Sequence, residues 1–212
     1  MENSEQMKAC RDIPKGYTLF WSFDISKPKE AVNLSFWGLM IAIVSWFGFL
    51  ALARSLHPAI FPRGSFQISI SILSSLIFIA EVLIISILMI IIHEGFHGIF
   101  FWIFSGERPK FAFKIYYAYA SAPGWYFPRW QYFYTALAPL IGITLIGVAA
   151  LLWLPVYCAT PALMLLVFNT SGAVGDIWVA FRLVICPRST LVRDYGDKIE
   201  FFKPTPSLLN QD

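Results

Sequence analysis

Charge is what this chain lacks. Only 14% of its 212 residues are Asp, Glu, Lys or Arg, against about a quarter in a soluble domain, while 58% are hydrophobic. That shortage excludes an ordinary soluble globular domain and points to a bilayer as the solvent. The net charge of +3 is small, and no basic run interleaved with aromatics follows a phosphate backbone, so nucleic acid is not an expected partner. Cysteine is scarce as well. Cys10, Cys158 and Cys186 are scattered and read as small packing residues, not as a disulfide or a zinc knuckle. The polar stretch before Leu34 has no short apolar core followed by a small-residue cleavage site, so no removable signal peptide is expected. Histidine occurs three times, too few for a di-iron membrane oxygenase such as a lipid desaturase.

What is abundant is long apolar runs. The first, Leu34 to about Ala53, is close to the ~20 residues that cross ~30 Å of hydrocarbon. Arg54, His57-Pro58 and Pro62-Arg63-Gly64 break it. The second runs from Ile68 through Ile92 and on to Phe104, ~55 Å as a helix, so it tilts and protrudes or breaks. The third covers about Tyr132 to Leu154 and holds Pro139 and Gly142; the fourth covers Ala162 to about Ile185. Between the second and third, Lys110 to Tyr119 is aromatic and β-prone, and Pro123-Gly124 is a turn dipeptide before Trp125-Tyr126-Phe127. The expected fold is an all-α membrane protein, four transmembrane helices with a β-hairpin at about 107–129 between the second and third. Residues 1–33 form an N-terminal segment, 34–186 the membrane domain and 187–212 a tail.

Lys plus Arg number five before the first run, four in the hairpin segment and five from Arg182 onward, against two in the first loop. By the positive-inside rule the three richer segments, including both termini, are cytoplasmic, in a multi-pass protein of the cell membrane. The second and fourth runs then both cross from outside to inside.

Two of the three histidines fall in His93-Glu94-Gly95-Phe96-His97. HExxH on a helix stacks two imidazoles on one face, where both reach a single zinc ion with the intervening glutamate beside it. Chance produces the motif in roughly one such chain in a thousand. A catalytic zinc takes three protein ligands and an open position. Asp176 is the preferred third: it lies in the glycine-broken segment Asn169 to Asp176 of the last run, where a carboxylate is costly, and topology puts it at the depth of His93. Glu107 is the alternative. Glu81 is ~18 Å up the helix from His93, too far for the same ion, and suits a buried hydrogen-bonding or protonated role. His57 precedes a proline in a short loop and is a weak candidate. With zinc held by His93, His97 and Asp176, Glu94 serves as general base for water attacking a carbonyl and then protonates the leaving amine. Asn169, an amide donor, suits a substrate carbonyl or an oxyanion. An edge strand of the hairpin suits an extended peptide.

The apolar run ending in HEGFH, Leu137-Ala138-Pro139-Leu140, and Phe168 through Asp176 resemble the zincin-peptidase family of bacterial and archaeal membrane proteins, long classed as a domain of unknown function. That family is in turn similar to the site-2 proteases, intramembrane zinc peptidases with HExxH on one helix and an aspartate ligand on a later one. The resemblance covers about Ile68 to Ile185. It implies His93, His97 and Asp176 as ligands of one zinc, Glu94 as catalytic acid/base and Asn169 as substrate-orienting amide. Site-2 proteases usually carry proline soon after the asparagine and glycine after the aspartate; Thr170 and Ile177 stand here. The implied activity is hydrolysis of membrane-anchored or membrane-adjacent protein or peptide substrates. The competing reading is a non-catalytic zinc-binding membrane protein with a structural or sensing role. Oligomeric state is not legible.

Overall fold

The computed structural model describes residues 7–58, 71–114 and 117–205. The Pro62-Arg63-Gly64 breaker lies outside the described residues, as does the start of the second apolar run. In chain order the elements are β1 (Tyr17–Asp24), α1 (Pro28–Leu56), α2 (Ile72–Ser105), β2 (Lys110–Phe113), β3 (Ala118–Ser121), β4 (Tyr126–Pro128), α3 (Arg129–Trp153), α4 (Ala159–Gly172), α5 (Val174–Ile185), β5 (Leu191–Asp194) and β6 (Lys198–Pro204).

Among the described residues three helices, α1, α2 and α3, are long and apolar enough to cross a membrane; α4 and α5, bent by 48° at their junction, qualify together as a fourth. Burial explains why they remain apolar. Only 6% of the α2 window is buried within the protein, so its Ile and Leu side chains have lipid as their natural neighbour. The second apolar run does not break after the motif: α2 continues unbroken to Ser105. It stops at Gly106, whose φ of 72° is the left-handed conformation that ends a helix, with its N–H on the Trp102 carbonyl at 2.8 Å.

The all-α expectation needs correcting, because a sheet is present. Strands β1, β6, β5 and β4 form a four-stranded antiparallel sheet in that order. The tail expected from residue 187 onward supplies its two central strands, and β1 supplies one edge. Strands β2 and β3 pair antiparallel, Lys110 opposite Ser121 and Phe113 opposite Ala118. Pro123-Gly124 does form a turn, closed by Trp125 N–H on the Ala122 carbonyl at 3.0 Å. That turn joins β3 to β4, a strand of the other sheet, so it is not the hairpin's own turn.

Contacts gather the chain into two units. The first comprises Met1–Leu34, Glu94–Ala138 and Gly175–Asp212. Its core packs Phe101 and Tyr132 from helices against Ala120, Phe127, Val192 and Phe201 from strands, with Val179 and Leu183 of α5. Burying each such large apolar side chain contributes about 1.5–3 kcal/mol. The second unit, Ser35–His93 and Pro139–Val174, is helical, with small cores around Ala53, Leu151 and Leu166, and around Leu50, Leu163 and Val167. In it α3 and α4 meet at Gly147, where an added Cβ would stand 2.6 Å from Leu166 Cδ2.

Candidate metal centre

His93, Glu94 and His97 lie on α2, and the two imidazoles, four residues apart, share one face. His93 is buried, and its Nδ1 lies 3.2 Å from Asn169 Oδ1, near the end of α4. Asn169 is wholly buried, and its Nδ2 donates to the Leu140 carbonyl at 3.3 Å. A carbonyl only accepts, so the amide nitrogen must face Leu140 and the amide oxygen must face His93. His93 Nδ1 is therefore the donor. His97 Nδ1 stands 2.9 Å from the Thr135 carbonyl of α3, and the same reasoning puts a hydrogen on that nitrogen too. Both rings are thus held by Nδ1, which leaves each Nε2 to point elsewhere. Such a bond on the far nitrogen is the usual way a metal-ligating histidine is oriented.

His97 Nε2 meets Asp176 Oδ1 at 3.3 Å. Asp176 occupies the first turn of α5, where unpaired helix N–H groups favour a carboxylate. One ligand atom from each of His93, His97 and Asp176 can be chosen so that all lie within 4.8 Å of one another. Atoms about 2.0–2.2 Å from a tetrahedral zinc stand about 3.3–3.6 Å apart, so the His97–Asp176 separation already suits one ion and the set closes with small side-chain movements. Two imidazole nitrogens and one carboxylate oxygen are donors that zinc accepts, and the side chains of His97 and Asp176 retain 12% and 22% exposure, leaving an approach. The residues fit the ion.

Glu94 Oε2 accepts the Ala120 N–H of β3 at 2.7 Å. Lys114 N–H bonds the Tyr117 carbonyl at 2.7 Å, which fixes that pair, and hence Ala112–Tyr119, as hydrogen-bonded. By alternation, Ala118 and Ala120 point their backbone groups away from β2. Glu94 therefore sits at the outer edge of the hairpin. Gly98, next to His97, lets β2 approach the helix: a Cβ there would stand 2.5 Å from Phe111 Cζ.

The other candidates are engaged elsewhere. Glu107 pairs with Arg11 and accepts from Trp125 Nε1 at 2.9 Å. His57 Nε2 bonds the Leu151 carbonyl at 2.7 Å. Glu81 is half-buried on α2. Neither they nor any other His, Cys, Asp or Glu joins the metal-competent group among the described residues. Residue-by-residue reading missed the backbone of Thr135, Leu140 and Ala120, because carbonyls and amides carry no side-chain signature. It also missed Asp194 of β5, buried and accepting from the Tyr132 hydroxyl.

No curated protein and no solved structure matches the chain. Residues 86–191, half of the 212, match the family described as "Putative zincin peptidase", and the chain belongs to that family.

Proposed function

We propose that this protein is an intramembrane zinc metallopeptidase of site-2-protease type, hydrolysing peptide bonds of membrane-anchored or membrane-adjacent proteins. The observation that carries this reading is the convergence of His93, His97 and Asp176 beside Glu94. A bound zinc supplies Lewis acidity, polarising a carbonyl and letting water ionise with a pKa near ~7. Everything else falls to the chain. Glu94 takes the proton of the attacking water and returns it to the departing amine nitrogen. The Ala120 N–H holds one of its oxygens and so fixes the direction of the carboxylate. An extended substrate pairing along the outer edge of β3 would run directly past that carboxylate, which supports cleavage of an unfolded segment. Asn169, expected to orient substrate, holds His93 in the resting protein, so a substrate role would require that bond to open.

Strand pairing supports four crossings. β1 pairs β6 and β4 pairs β5, so the segments before α1, between α2 and α3, and after α5 lie on one side of any bilayer the helices cross. With α3 crossing once, α4 and α5 would make the return together. The positive-inside rule makes that side cytoplasmic.

The test is Glu94→Gln in the full chain, reconstituted with a membrane-anchored peptide. Cleavage should vanish while zinc stays near one equivalent. Retained cleavage refutes the base assignment. A wild-type protein that holds zinc but cuts no membrane-anchored peptide has instead a structural or sensing site.

A further inference from the structure

We propose that Pro139 is a positioning residue for His97, acting through the backbone of Thr135. In an α-helix the N–H of residue 139 would bond the carbonyl of residue 135. Proline has no N–H, and Pro139 stands inside α3. The Thr135 carbonyl is therefore released from the helix ladder. Thr135 is wholly buried, so its carbonyl has no bulk water to turn to and needs a donor from within the protein. His97 Nδ1 is that donor, at 2.9 Å. The Thr135 hydroxyl does not compete, since it donates to the Gln131 carbonyl at 2.9 Å. Proline thus creates an acceptor at the one place in α3 that faces the second histidine of the motif. The bond keeps a hydrogen on His97 Nδ1 and aims Nε2 at Asp176.

The consequence for metal rests on the zinc reading above; the hydrogen bond from Nδ1 does not. In Pro139→Ala the new N–H competes for the Thr135 carbonyl and His97 loses its fixed orientation. Zinc affinity of the purified full chain, measured by chelator competition, should fall about 10–100-fold, the usual effect of removing a histidine's outer partner. A proline that merely shapes the helix would leave that affinity unmoved. The second readout is the 15N and 1H spectrum of the His97 ring in zinc-free protein. Wild type should show a hydrogen on Nδ1 that exchanges slowly with water, whatever Nε2 carries, and Pro139→Ala should lose that protection. A wild-type Nδ1 without a hydrogen overturns the proposal, and so does a Pro139→Ala protein with unchanged affinity and unchanged protection. Should Pro139→Ala fail to fold, the wild-type spectrum alone decides. Should wild type bind no zinc, the peptidase reading fails while the spectrum still reports on Pro139.

Discussion

Asp176 Oδ1 lies 3.3 Å from His97 Nε2, one residue from the start of α5 and the other a turn below His93 on α2. Glu107, the other carboxylate that the sequence offered as third ligand, is turned to Arg11 and to Trp125 Nε1. The two acids should therefore separate cleanly. Asp176→Ala should cut the zinc content of the purified protein to well below half an equivalent. Glu107→Gln should leave it unchanged and cost at most about 1 kcal/mol, since its partner pair is largely solvated. Metal analysis of both variants decides, and loss of zinc in Glu107→Gln alone would reverse the ligand assignment.

Asp194 carries a pH dependence whose sign can be worked out. Burial pushes its carboxyl up to about 6, outweighing the hydrogen bonds from the Tyr132 hydroxyl and the Gly196 N–H. The unfolded chain titrates near 3.8. Between those values the folded state holds the proton more tightly, so this group's stabilisation is complete below about 3.8 and gone above about 6. Each unit of displacement is worth about 1.4 kcal/mol. Asp194→Asn should therefore gain stability relative to wild type as pH rises from 4 to 7. Thermal midpoints in detergent across that range measure it; parallel curves for the two proteins would contradict the burial argument.

The long apolar helices and the three residues that could hold a metal were legible for one physical reason. An apolar run of membrane length is a local feature, and a carboxylate or an HExxH within it is too costly to be incidental. The four-stranded sheet was not legible. β1 and β6 pair residues as distant as Tyr17 and Pro204, and nothing local in a charged, proline-bearing tail announces such a partner. Pro123-Gly124 was recognised as a turn but not for what it joins, since turn chemistry fixes a bend and leaves the strands' partners open. Pro139 was visible as a proline in an apolar run; its use became readable only when the freed carbonyl was seen against His97.

The loop between β5 and β6 ties the hairpin to the four-stranded sheet at a single glycine. Tyr195 N–H bonds the Lys198 carbonyl at 2.9 Å, leaving Gly196 and Asp197 as a two-residue loop. Gly196 has φ of 96°, while among the described residues no non-glycine has positive φ, so the loop is of the glycine-first kind. Tyr119 of β3 lies flat against it: a Cβ on Gly196 would stand 2.1 Å from Tyr119 Cδ2. Gly196→Ala thus meets two separate penalties, a backbone one of about 1–3 kcal/mol and an overpacking one of similar size. In a Tyr119→Ala background only the backbone penalty remains. The alanine substitution should therefore cost about half as much there, measured by unfolding of the four proteins of the cycle. Equal costs in both backgrounds would mean that the Tyr119 ring does not rest on this loop. The same contact links the strand that holds Glu94 through Ala120 to the sheet, so Gly196→Ala should also weaken cleavage before it lowers zinc content.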